Sequence, residues 1–523
     1  MAGGEVTIGI TQKPASLNPL YTRTTTEAII RSLIVEGLVD SDRTGQYVPV
    51  LADTLPTISG DGLVLTYPLK PGIRFSNGEL FTCADVQFTV EAILAEQTGR
   101  NLAGYEKIKS VECVNDLTAV VSFTQVYAPY LSLFSYIIPR SAGSIDSRSS
   151  WAYNRTPIGT GPWMVQRWEP GKRIKLVKNP YYRQEAKPYL DSLVILFTAN
   201  NTDGVAKLIN DKYTIFWELT ETDLGALQET PAEVSFAGAP YGSGENEMIV
   251  FNLADPAADA PADPAAHPHP ILADLRVRQA IELAIDKQGI AQVQLAGNVK
   301  PGSTILPAGP YACPLPSSEF STSKANALLD EAGWETAEDG IRTKGSLRLS
   351  LKIASISGDA QRLNIERALV DMLQKIGIEL VIENIASDAF FANWESNGIR
   401  KHGQFDLLLY TSGADLDPAY DLFNNYHSSR IPSAENEGTG SNYARYINTK
   451  VDGWIEEVGG TIDVAQRKML TCQVAAQINQ DLPRLLLFER QRLSGYRTRL
   501  QNFQVSPGAA NFAYGSQDWW LSP

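Results

Sequence analysis

Apolar positions along the chain fall into two patterns, alternation and helical spacing. Leu63, Leu65, Tyr67 and Leu69 alternate with other residues and predict a strand with one buried face. Pro71-Gly72 and Asn77-Gly78 mark turns after it. Thr82, with Asp85 three residues on, predicts a capping box that opens a helix over 83–96. The hydroxyl can accept an orphan amide, and the carboxylate suits the positive helix end. Runs 108–114 and 117–123 read as two strands joined at Asn115-Asp116, a hairpin. The longest uncharged stretch, 117–139, carries Gln125, several hydroxyls and Pro129. It predicts a strand, a turn and a buried helix, because a membrane span needs ~20 mostly apolar residues without such breaks.

A second α/β block follows 254–270, a proline-rich segment without large apolar side chains that reads as a loop insertion or a lid. Asp274 caps a helix whose Val277, Ala280, Ile281, Ala284 and Ile285 share one face. Leu347, Leu349, Leu351 and Ile353 alternate as a strand, and a helix over 360–376 ends at Gly377, a left-handed cap. Ile378, Leu380 and Ile382 alternate again, and 405–410 reads as a buried strand.

With 523 residues, the chain is too long for one ordinary core and predicts two or three domains. A net charge of -14 repels phosphate backbones and argues against a nucleic-acid partner. No leader is visible ahead of the strand-like Val6 to Ile10, which suits either a cytosolic protein or one whose leader has been removed. The four cysteines have neither zinc-finger nor redox spacing. Cys83 and Cys113, nearest in sequence, would pair in an oxidising compartment, and Cys313 with Cys472 by elimination; four buried free thiols are the alternative.

Signatures of zinc proteases, α/β-hydrolase elbows, phosphate-binding loops and EF-hands are missing. His267 and His269 could hold a metal, but no cysteine or carboxylate stands at ligand spacing, and a solvated loop is the expectation. Asp415 and Asp417 could act as an acid/base pair, though a turn or a polar ligand contact explains them without a second motif. No metal, cofactor or catalytic residue is expected.

Segment 48–93 resembles the signature of the peptide-, oligosaccharide- and nickel-binding proteins of ATP-driven importers, solute-binding family 5. It has a Leu-Ala start, the turn Ser59-Gly60-Asp61-Gly62, a strand bearing Tyr67, then Lys70-Pro71-Gly72, Phe75, Gly78, Phe81-Thr82 and Asp85-Val86. Further matches follow in family order: 13–20, Gly159 to Trp163, Lys178 to Tyr182, Arg276 to Ala280, Ala327 to Trp334 and Gly440 to Tyr443. The resemblance implies a type II periplasmic-binding-protein α/β fold, with two lobes and an extra subdomain on the first. Here lobe I would be 1–45, 151–240 and 491–523, the subdomain 46–150, and lobe II 241–490. It also implies hinge closure over a solute in an interlobe cleft, an extracytoplasmic location, a monomer (lipid-anchored in some precursors) and permease transmembrane subunits as partners.

In peptide-binding members an aspartate neutralises the ligand's amine. Counting back from Pro418, that position falls on Ala414, and Asp415 lies one place later. The expected ligand residues are Asn18, Trp217, Trp394, Tyr410, Ser412, Asp415 and Asn442. The tryptophans are stacking candidates or plain core. Tyr410, Ser412 and Asp415 sit at the end of a buried strand, where α/β proteins bind ligands, and Asn18 follows the first strand similarly. Asn442 either donates to ligand or shapes a turn. An oligopeptide or peptide-like solute is the expected cargo. An oligosaccharide or nickel receptor is the alternative, and a secreted hydrolase using Asp415 and Asp417 is the remote one.

Overall fold

The computed structural model describes residues 3–22, 24–96, 102–228, 233–238, 244–258, 263–295, 297–413, 415–506 and 511–523. Ala414 and 259–262, within the proline-rich segment, lie outside these. The chain divides into two compact units: Met1–Gly242 with Gly460–Ile462 and Gln491–Pro523, and Ser243–Gly459 with Asp463–Arg490.

Unit 1 holds a seven-stranded sheet in the order Val234–Gly238, Leu493–Arg497, Ile215–Leu219, Glu5–Ile10, Ser192–Phe197, Arg173–Lys178, Trp163–Glu169. Glu5–Ile10 runs parallel to both its neighbours. A second, four-stranded antiparallel sheet contains the predicted strand and hairpin, as Val64–Pro68, Ile108–Asn115 and Thr118–Phe123. The predicted helix is Cys83–Glu96. Only half of its capping box forms: Asp85 Oδ2 accepts the Thr82 amide at 2.9 Å, while the Thr82 hydroxyl turns towards the same carboxylate at 3.4 Å. The buried helix expected before Pro139 is absent. A short 3-10 turn, Tyr130–Ser132, is followed by non-helical chain with Phe134 at φ 55°, and it is this chain that carries Leu133, Phe134, Tyr136, Ile137 and Ile138 into the core. One continuous core runs from Val6 and Ile8 through Ile30 and Phe134 to Tyr67 and Val121.

Unit 2 is built on a five-stranded sheet, Glu379–Ile382, Ser350–Ala354, Leu407–Gly413, Glu245–Phe251, Arg484–Glu489. The first three are parallel and Glu245–Phe251 is antiparallel to both its neighbours, so Arg484–Glu489 points the same way as the parallel set. Successive side chains of a strand point to opposite faces, and here both faces are covered. Leu407 and Leu409 pack with Ile249 and Leu351, while Leu408 and Tyr410 pack with Met248 and Leu486. That is why 405–410 reads as an unbroken apolar run. Helix Ala360–Gln374 stands where predicted, and Gly377 has φ 78° just beyond it.

Both expected cysteine pairs are disulfides, Cys83–Cys113 and Cys313–Cys472. The two histidines of the proline-rich segment differ from the expectation of a solvated pair. His267 is exposed, but His269 is buried. The His269 Nδ1 accepts the Ile271 and Leu272 amides at 3.1 and 2.9 Å, which leaves Nε2 to donate to Asp406 at 3.1 Å.

Candidate functional site

Open α/β sheets bind ligands beyond the carboxyl ends of their strands. In unit 1 those ends are Ile10, Phe197 and Leu219. Asn18 follows the first of them and is fully buried. Its Oδ1 accepts the Leu20 amide at 3.0 Å and caps a 3-10 turn, and its Nδ2 donates to Asn154 Oδ1 at 2.7 Å. The Asn18–Asn154 pair underlies a groove of about 520 Å³ lined by Ser16, Tyr21, Ser150, Trp151, Asn154 and Arg155. Trp217 is sealed in the core of the same unit, 1% exposed and stacked on Phe512, and its indole N–H meets no acceptor among the described residues.

In unit 2 the carboxyl ends are Ala354, Ile382, Gly413 and Glu489. Tyr410 and Ser412 point to one face of their strand. Tyr410 is buried against Phe390, and burial pushes its phenol up. Ser412 borders a cavity of about 10 Å³, room for one water, with Met248, Leu306, Asp421, Tyr426 and Arg484. Asp415 is exposed, and its amide donates to Asp421 Oδ2 at 2.7 Å. Asn442 is buried; its Nδ2 reaches the carbonyls of Tyr426, His427 and Tyr446, and its Oδ1 accepts the Tyr446 amide at 3.0 Å. Trp394 lies half-buried with His402 stacked on one face at 3.9 Å. The structure therefore gathers Tyr410, Ser412 and Asp415 at one strand end. Trp394 and Asn442 stand elsewhere in unit 2, and Asn18 and Trp217 belong to unit 1.

The opposite face of the same strand end carries a charge network that sequence reasoning did not find. Glu247 is fully buried, accepts from Arg362 Nε at 2.6 Å and from the Thr411 hydroxyl at 2.5 Å, and forms an ion pair with Arg490 Nε at 3.2 Å. Burial pushes its carboxyl up, but the Arg362 and Arg490 guanidinium groups outweigh that and hold it below the usual range. Arg490 also reaches Gln361 Oε1 at 2.9 Å. The one sequence signal was an acid inside the run ENEMIVF, which demands a buried cation. Arg362 lies 115 residues away, so only the topology names it.

Asp417 is not available for acid/base work with Asp415. Both its oxygens accept from the Arg467 fork, at 2.6 and 2.5 Å, and the pair is sealed. No cluster of three or more His, Cys, Asp or Glu side chains fit to hold a metal occurs among the described residues.

Each of the two units carries parallel strands of an α/β sheet that end on a common edge, an arrangement shared by the type II periplasmic-binding-protein fold. The chain belongs to the bacterial extracellular solute-binding proteins, family 5, whose profile ("family 5 Middle") matches residues 46–433. Protein XP55 of Streptomyces lividans is 26% identical over 86% of this chain and 77% of its own length. Oligopeptide-binding protein AppA of Bacillus subtilis (strain 168) is 25% identical over 99% of this chain and 92% of its own. Among solved structures, NikA from Brucella suis in complex with Fe(III)-EDTA shares the fold with a TM-score of 0.84. It is 21% identical and covers 99% of this chain and 100% of its own.

Proposed function

We propose that this protein is the receptor component of an ATP-binding-cassette importer. It captures an oligopeptide or peptide-like solute by the hinge closure expected of its family, does not alter it, and delivers it to permease subunits outside the cytoplasm. The reading is carried by the likeness to oligopeptide-binding AppA along 99% of the chain. The strand end of unit 2 bearing Tyr410, Ser412 and Asp415 is the proposed place of contact. The alternative cargo, an oligosaccharide, stacks on open aromatic faces; Trp217 is sealed and His402 covers one face of Trp394.

A thermal-shift panel of tri- to nonapeptides and of oligosaccharides tests the reading. A true ligand at a hundred times its Kd adds about 2.7 kcal/mol of stability. Peptides are expected to raise the unfolding temperature and sugars to leave it unchanged. The reverse pattern would assign a different cargo.

A further inference from the structure

Between helices Lys287–Gln294 and Thr322–Glu331, the chain of unit 2 runs from 303 to 320 without helix or strand. A stretch this long without regular structure keeps its place through tertiary bonds. Its first part is fixed to the sheet and to one helix. The Gly302 amide donates to the Leu487 carbonyl at 3.0 Å, and the side-chain amides of Asn479 and Asn246 donate to the Ser303 and Thr304 carbonyls at 2.9 and 3.2 Å. Ile305 and Leu306 then border the small cavity beside Ser412. The tip beyond, 307–313, turns at Gly309, φ 84°, and the Cys313 amide donates back to the Leu306 carbonyl at 3.0 Å. Two bonds carry this tip to helix Val464–Asp481: the disulfide Cys313–Cys472, and the Tyr311 hydroxyl, which accepts from Arg467 Nη1 at 2.8 Å. The same Arg467 holds Asp417, and a Cβ added at Gly309 would stand 3.9 Å from Leu416 Cδ2. The tip thus lies against Leu416, between Asp415 of the proposed contact region and the clamped Asp417.

We propose that Cys313–Cys472 is a redox-sensitive clasp on the solute site. Oxidised, it holds the tip against Leu416 and fixes where segment 415–418 stands beyond its strand end. Reduced, it frees both, and peptide affinity falls. The proposal rests on the peptide reading above and adds regulation of the same site. The reductant is a dithiol. Its thiolate attacks Sγ of Cys472, which is partly exposed, whereas Cys313 is 2% exposed. The S–S bond breaks, Cys313 leaves as a thiolate and takes up a proton, and the second thiol of the reductant then displaces Cys472. Two electrons pass to the protein, which ends with two thiols, and the reductant ends as a disulfide.

The test uses the full chain and an equimolar pool of tri- to nonapeptides, titrated calorimetrically well below each variant's unfolding temperature. Replacing both Cys313→Ser and Cys472→Ser is expected to weaken apparent binding at least about tenfold. Replacing both Cys83→Ser and Cys113→Ser should leave it within about twofold of the wild type. This second variant keeps one disulfide, so dithiothreitol should weaken its binding as the first replacement does, and reoxidation should restore it. Hydrogen exchange without peptide gives an independent reading: amides of 415–418 should exchange at least about tenfold faster once Cys313–Cys472 is open. Unchanged affinity or unchanged exchange at 415–418 would overturn the clasp and leave the peptide reading standing. Loss of folding on reduction would also overturn it, showing a bond that holds the fold and not the site. If no peptide binds the oxidised wild type, the peptide reading falls, and exchange at 415–418 alone decides the clasp.

Discussion

Asp417 and Arg467 show how strongly this chain relies on buried charge. Their side chains are 6% and 3% exposed, and the Val458 carbonyl and Tyr311 hydroxyl complete the guanidinium's partners at 2.8 Å each. Asp417→Asn leaves a buried cation without its anion, which typically costs about 3–5 kcal/mol. Urea denaturation should show a loss of that order; a loss below about 1 kcal/mol, the value of an exposed pair, would contradict the burial. Glu366 gives a pH dependence. Burial pushes its carboxyl up to about 7, with the Asn384 amide at 2.6 Å offsetting part of the rise, and its Oε1 has no partner among the described residues. The folded chain holds this proton above 4.5, where the unfolded carboxyl loses it. Stability from Glu366 is therefore full below that pH and falls as pH rises towards 7. Glu366→Gln should flatten the fall of unfolding temperature between about pH 5 and 8, and at the upper end be the more stable by on the order of 1–3 kcal/mol. Parallel pH profiles would sink this assignment. Residues of this kind were the least legible from sequence. Asp417 read as a turn acid and His269 as solvated, because Arg467 and Asp406 lie 50 and 137 positions away and approach only through the fold.

At the scale of elements, much was legible wherever local chemistry and tertiary demand agree. Alternation at Leu65, Tyr67 and Leu69 gave a strand because one face is buried there. Asp274 caps its helix through the Arg276 amide as its position requires. In the stretch before Pro139, apolar content sets burial but not backbone conformation: Phe134 stands at φ 55°, which a right-handed helix does not allow. The disulfides are elements too, and they differ in what they constrain. Cys313–Cys472 closes a span of 159 residues in unit 2 and fixes the loop that places Tyr311 on Arg467, whereas Cys83–Cys113 closes 30. If cross-linking acts by limiting the unfolded chain, the longer closure stabilises more, by about 1.5 kcal/mol on the logarithmic scaling. The double alanine variants should differ in that direction when the unfolding of each unit is followed separately. A larger loss from removing Cys83–Cys113 would show that local packing, not chain entropy, governs these bonds.

For the whole molecule, family membership and the α/β fold fix the class of activity, and the cargo is the open term that the crest of unit 2 addresses. Glu247, Arg362, Thr411 and Arg490 join into a buried charge network behind that strand end. The central claim is that peptides are held and returned intact. Equilibrium dialysis against a mixed peptide library, with retained peptides read by mass spectrometry, tests it most directly. The account predicts retention approaching one peptide per chain, with every retained mass present in the starting library. Retention no greater than in a protein-free chamber, or retained fragments absent from the library, would contradict it.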